Sequence, residues 1–427
     1  MPTLIPSLSL TVLMLAMPMF IASAYAEDSL SNTVLTFEDA LQLSASTQPA
    51  VQAYQSAAHA ARQQAQTAAQ LPDPSLKFGL VNVPITGSDA LRLNRENMTM
   101  TTLGVMQNMV RSAKRVAAAA QLQAQAQGLT ANSQNQARLI QQDAALAWLD
   151  VFAAQKTLQI TQHLMNELQA QRQVAATQLS SGAVSATELL QQDALLAMMQ
   201  DQLLMAQGAA QKARSELTRW LGDAATRPLS PYLPILDTPL LASQAQERIA
   251  QHPLLKVAQQ NIEVSRHEAE LADAADLPDW SWELMLGQRQ SSRTDMISVQ
   301  FTLDLPWQKA KRQQHQQAAA LMNVQQAEFL AEDQQRALNA SLDAASAECL
   351  TAKAREQTYQ QQLIPATKAA LTMAQAAYQT GAIPLSSVWL ARRALLDVEL
   401  KHWLIRIEYL RAVVRLHYLL DGEGDVS

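Results

Sequence analysis

Five short motifs recur in the same order in the two halves of this 427-residue chain. Gln48-Pro49 is matched by His252-Pro253, Leu71-Pro72-Asp73 by Leu277-Pro278-Asp279, and Ala113-Lys114-Arg115 by Ala310-Lys311-Arg312. Gly182-Ala183-Val184 is matched by Gly381-Ala382-Ile383, and Leu221-Gly222-Asp223 by Leu420-Asp421-Gly422. Five matches in register indicate two tandem structural repeats, so whatever one half folds into, the other should follow. The boundaries read as repeat 1 over 27–223, a linker over 224–241, repeat 2 over 242–422 and a tail over 423–427. Pro228, Pro231, Pro234 and Pro239 make the linker non-helical.

Each repeat reads as helix, two short extended segments, long helix, tight turn, helix. In repeat 1 the helices fall at 36–70, 112–178 and 186–221, with strands at 75–83 and 98–107. In repeat 2 the helices fall at 242–276, 308–378 and 385–421, with strands at 279–288 and 295–305. Only 11 glycines interrupt a chain dominated by Ala, Gln and Leu, which lose little side-chain freedom in a helix. At 1.5 Å per residue the helix over 112–178 is roughly 100 Å long. The helices over 186–221 and 242–276 are each about half that, so the two stacked end to end match a long one. Those over 385–421 and 36–70 form the other expected pair, with the linker and chain ends in an equatorial belt. Heptad spacing of Ala144, Val151, Leu158 and Met165, and of Leu396, Trp403 and Leu410, predicts coiled-coil packing through small residues.

The four extended segments alternate with period two. One face carries Leu76, Phe78 and Leu80, then Trp280, Trp282, Leu284 and Leu286, then Ile297, Val299, Phe301, Leu303 and Leu305. Ser298, Gln300, Thr302 and Asp304 take the other side. A segment of about ten residues with one apolar face has the length of a tilted strand crossing a bilayer. Lipid demands a closed barrel, and four strands cannot close one. Strands that span a membrane therefore require several chains in one barrel. A soluble four-stranded sheet capping a helical bundle has the same alternation.

Net charge is −6 with interspersed signs and no basic stripe, which argues against nucleic acid as a partner. The seven histidines make no HExxH or i, i+4 pair, and P-loop, GxSxG and dinucleotide motifs are absent. The expectation is no enzyme, no cofactor and no metal site. Met98, Met100, Met106 and Met109 more often fill a core or barrel wall than bind a soft metal. Uncharged Leu4 to Ala24, followed by Ala24-Tyr25-Ala26, reads as a secretory signal peptide over 1–26, although its n-region has no Lys or Arg.

Two tandem copies with paired glycine-containing turns resemble the TolC-like outer membrane efflux factors. The run Leu71-Pro72-Asp73-Pro74-Ser75-Leu76-Lys77-Phe78-Gly79-Leu80, with Met98-Thr99-Met100, Gly104-Val105-Met106-Gln107 and Lys114-Arg115, is similar to their heavy-metal, CzcC-like branch. The resemblance implies a mainly α chain whose long antiparallel helices form an α-helical barrel. Its four transmembrane strands would join those of two sister chains in a trimeric 12-stranded β-barrel. It implies a homotrimer in the outer membrane, reaching into the periplasm. Its partners would be outer membrane lipid, a periplasmic membrane fusion protein and an inner membrane resistance-nodulation-division pump. Docking at the tips would fall on Gly182, Ala183, Val184, Gly381, Ala382 and Ile383, and the lipid-facing barrel on Phe78, Trp280, Trp282 and Phe301. Some relatives carry a carboxylate iris after the second tip. Ser387 and Leu390 stand there in this chain, and Glu188 after the first tip is the candidate lumen constriction. The function implied is a passive exit duct, for heavy-metal cations on the branch resemblance. The alternatives are a duct for drugs or secreted proteins, and a periplasmic coiled-coil scaffold without a pore.

Overall fold

The structure is a computed structural model that describes residues 34–45, 48–93, 95–180, 185–236, 242–289 and 293–420. The expected signal peptide and C-terminal tail lie outside the described residues. The order of helix pair, strand pair, long helix, turn and helix occurs twice along the chain. The first pass holds α1 (Phe37–Ala45), α2 (Pro49–Ala68), β1 (Ser75–Val81), β2 (Met100–Met109), α3 (Ser112–Ser180) and α4 (Ala186–Leu221). The second holds α5 (Ala242–Ala250), α6 (Pro253–Ala274), β3 (Trp280–Gln288), β4 (Met296–Leu303), α7 (Gln313–Thr358), α8 (Ile364–Gln379) and α9 (Leu385–Leu420).

Three elements expected to be continuous are divided, two of them at prolines. The helices read over 36–70 and 242–276 restart at Pro49 and Pro253, which occupy first-turn positions. Proline suits that place because its missing N–H has no intrahelical partner there, while the residue before it avoids helical angles. The helix read over 308–378 begins only at Gln313 and carries a π turn at Tyr359–Leu363. Pro365 stands two residues beyond it; in a regular turn its ring would collide with the carbonyl four residues back, that of Gln361 inside the π turn, and one widened turn relieves that.

α3 is the spine. It packs against α2, α4, α6 and α9, and α7 lies against α6 and α9. The end-to-end pairing differs from the expected one. α2 continues α4, with Gln48 Nε2 donating to the Trp220 carbonyl at 3.0 Å. α5 and α6 continue α9, with Ile249 and Leu255 buried beside Val413 and Leu416. Helix lengths alone allow either arrangement. What decides is the linker, which passes the chain entry at mid-height, where Leu35 bridges Leu229 and donates to the Pro228 carbonyl at 2.8 Å. The second pass is thereby delivered to the other side of α3.

The main core sits at this equator. Trp148, near the middle of α3, is fully buried, with the Phe37 ring edge-on and the Phe152 ring stacked, both at 5.6 Å. Its indole N–H donates to the Leu35 carbonyl at 3.3 Å. Leu217 and Leu221 of α4 and Ile407, Leu410 and Val414 of α9 close the cluster. Small residues set the spacing along α3, with Ala117, Ala124 and Ala131 buried toward one end and Ala175 toward the other. Ala144, Ala147 and Val151 are buried on α3 as the heptads predict.

His252 connects this core to pH. Its Nδ1 accepts from the Leu254 N–H at 3.2 Å and caps α6. Burial, reinforced by the Arg138 charge, lowers its pKa to about 4. The fold thus prefers the neutral ring. Its contribution is complete above pH 6.5 and is lost as pH falls from there toward 4. Allowing for solvent screening, thermal stability should drop by about 2 kcal/mol between pH 7 and 4 on this account, and His252→Asn should flatten that part of a denaturation-against-pH profile.

Candidate functional site

The strands form one antiparallel sheet in the order β1-β2-β3-β4. β2 and β3 join the two passes at its centre, and β1 and β4 are its edges. The register stacks Phe78, Leu103, Leu286 and Ile297 in one row and Leu76, Val105, Leu284 and Val299 in the next. Trp282 faces Phe301, Trp280 faces Leu303, and the Trp280 and Phe301 rings lie 6.4 Å apart. Phe78, Trp280, Trp282 and Phe301 therefore share one face. That face is bare: Phe78 is 81% exposed, Ile297 73% and Phe301 70%.

The opposite face is polar and partly covered. Lys77 pairs with Glu283, itself buried. Thr102 Oγ1 donates to the Gly79 carbonyl at 3.2 Å. Met100, Met106, Met285 and Met296 fall on this face by register. Met100 lies across Gly287, where an added Cβ would come within 2.6 Å of its Sδ and push the flexible thioether aside. In a water-soluble sheet the apolar face is the covered one. Here the order is inverted. Lys77–Glu283 was missed in the sequence, although the period of two already put Glu283 opposite its tryptophan and leucine neighbours.

At the far end of the helices lies the turn between α8 and α9. Gly381 takes φ +74°, its N–H bonding to the Tyr378 carbonyl at 2.9 Å and that of Ala382 to the Ala377 carbonyl at 2.9 Å. These two hydrogen bonds close α8 through a residue in the left-handed conformation, which glycine adopts without strain. Ala382 and Ile383 complete the turn. Gly182, Ala183 and Val184 lie outside the described residues. Glu188 opens α4 in a reciprocal cap: its N–H bonds to Ser185 Oγ at 3.2 Å and its Oε2 accepts from the Ser185 N–H at 3.1 Å. It also lines a cleft of about 520 Å³ with Leu168, Gln192, Tyr378, Trp389 and Arg393. Arg172 holds Asp193 at 2.7 Å across one hairpin and keeps that carboxyl below its ordinary range. Arg392 reaches Glu167 at 3.0 Å and ties α9 to α3. Among the described residues no three His, Cys, Asp or Glu side chains converge to hold a metal ion, and no helix is long and apolar enough to cross a membrane. Burial pushes up the pKa of the free Cys349 thiol.

This combination of a small antiparallel sheet on a very long helical body is shared with known proteins. Residues 244–422 match the outer membrane efflux protein family. The match covers the second pass, from α5 through α9. The whole chain is similar in structure to CusC at a TM-score of 0.76 and 16% identity, covering 92% of this chain and 94% of that one. It is similar to the outer membrane protein VceC of Vibrio cholerae at 0.73 and 16%, covering 91% and 96%. The Campylobacter jejuni CmeC outer membrane channel gives 0.77 and 14%, covering 90% and 85%. No curated protein matches the sequence. The family match and these structures agree on the fold: a small antiparallel sheet at one end of a long helical body.

Proposed function

We propose that this protein is the outer membrane channel of a tripartite efflux system, with three chains sharing one twelve-stranded barrel. The bare apolar face of the sheet carries this reading. Lipid covers such a face at no cost, and closure with sister chains removes the open edges of β1 and β4. The polar face with Lys77 and Glu283 then lines water, and the helices continue the wall as a periplasmic duct. The protein does no chemistry; a membrane fusion protein meets the turns at Gly182-Ala183-Val184 and Gly381-Ala382-Ile383, and a resistance-nodulation-division pump in the inner membrane supplies the energy. Glu188, lining the cleft beside the turns, lies in three copies around the narrow end and favours cations. Glu188→Gln should lower the cation preference of the conductance, and an unchanged reversal potential would remove that role.

Heavy-metal cations are the proposed cargo. The CzcC-like run from Leu71 to Leu80 supports this, as do the four methionines on the polar face, whose thioethers suit soft cations. A deletion strain with redundant exporters removed should lose tolerance to at least one of zinc, cobalt, cadmium, copper and silver. Unchanged tolerance to all five would exclude this cargo.

A further inference from the structure

We propose that neighbouring subunits are locked together by an ion pair between Lys311 of one and Asp73 of the next. The inference rests on the reading that several copies of the chain close one barrel, and adds the contact that sets one copy against another.

Its template is inside the chain. Where β2 runs into α3, the Arg111 N–H donates to Asp279 Oδ1 at 2.9 Å and Lys114 Nζ to Asp279 Oδ2 at 2.7 Å. Asp279 immediately precedes β3, the strand beside β2. One carboxylate thus fastens the exit of one strand pair to the entry of the next. Both partners recur in sequence. Ala113-Lys114-Arg115 is repeated as Ala310-Lys311-Arg312, and Leu71-Pro72-Asp73 as Leu277-Pro278-Asp279. The second set stands at the sheet edges, Asp73 before β1 and Lys311 after β4.

Within one chain these two are not paired. β1 and β4 are three strand spacings apart, about 14 Å. Both side chains are exposed, and among the described residues no ion pair within 4 Å engages either. The cations across the cleft from Asp73 are already committed, Lys114 to Asp279 and Arg115 to the Val110 and Ala69 carbonyls. The junction that lacks its acid is also the looser one. α3 is helical from Ser112, three residues after β2, whereas nine residues separate β4 from α7, with turns but no helix over 307–312. When β4 of one copy lies beside β1 of the next, as β2 lies beside β3, Lys311 meets the neighbour's Asp73 and the fastening is repeated around the ring.

The test is a charge-reversal cycle on the full-length protein in detergent, read as the temperature at which the oligomer dissociates. Asp73→Lys and Lys311→Glu should each lower it by roughly 5 °C or more, and the double variant should recover at least half of the loss. Because the two residues are not paired within a chain and stand at opposite edges of the sheet, such recovery is expected from contact between subunits. The milder pair Asp73→Asn and Lys311→Met repeats the cycle should a reversed charge prevent folding, and strong coupling is again expected. A stable oligomer in which the losses simply add, or in which neither variant has an effect, overturns the ion pair and leaves the shared barrel standing. A wild-type protein that is monomeric in detergent overturns both.

Discussion

Phe301→Arg is expected to remove the assembled protein from the outer membrane. Phe301 sits on the edge strand β4, on the bare face opposite Trp282, and is 70% exposed. An Arg on the lipid face of a barrel costs about 2–4 kcal/mol near the bilayer midplane, and a trimer incurs it three times. Gln300→Arg, one residue earlier and on the polar face, is the matched control and should insert normally. Outer membrane fractions probed for the heat-sensitive oligomer distinguish the two. Equal accumulation of both variants would mean that the bare face does not meet lipid.

Trp148→Ala is expected to have the largest effect on stability. It deletes the fully buried centre of the equatorial core, two aromatic contacts and the hydrogen bond to the Leu35 carbonyl. Removing a buried Trp typically costs 3–5 kcal/mol. The loss strikes where α1, α3, α4, α9 and the linker converge, so the two halves of the helical body should uncouple. Thermal melting followed by far-ultraviolet circular dichroism should show a drop of roughly 10 °C. Lys212→Ala, on the exposed side of α4, should stay within about 0.5 kcal/mol of wild type.

The elements were legible because the hydrophobic period changes where they change. The switch from period two at Leu303 to helical spacing beyond Gln313, and the turn signalled by Gly381, are local patterns. The lateral order of the helices was not legible. α2 and α6 are similar in length, at 20 and 22 residues, and only the long-range bridge from Leu35 to Leu229 reveals that α2, not α6, continues α4. Pro365 was visible, yet a proline alone does not announce a π turn, since a kink would also relieve its clash. The sheet faces followed from alternation, whereas the pairing of Lys77 with Glu283 depends on register across three strands. Ser185 and Glu188 did carry a local signal, the spacing of a capping box, which the reading of Glu188 as a lumen charge passed over.

Ion current across a planar lipid bilayer tests the central claim most directly. Purified mature protein added from detergent should produce discrete conductance steps, because the polar face with Lys77 and Glu283 then encloses water while the face with Phe78 and Phe301 contacts lipid. A silent bilayer, together with a protein that stays monomeric and soluble once detergent is withdrawn, would contradict the account.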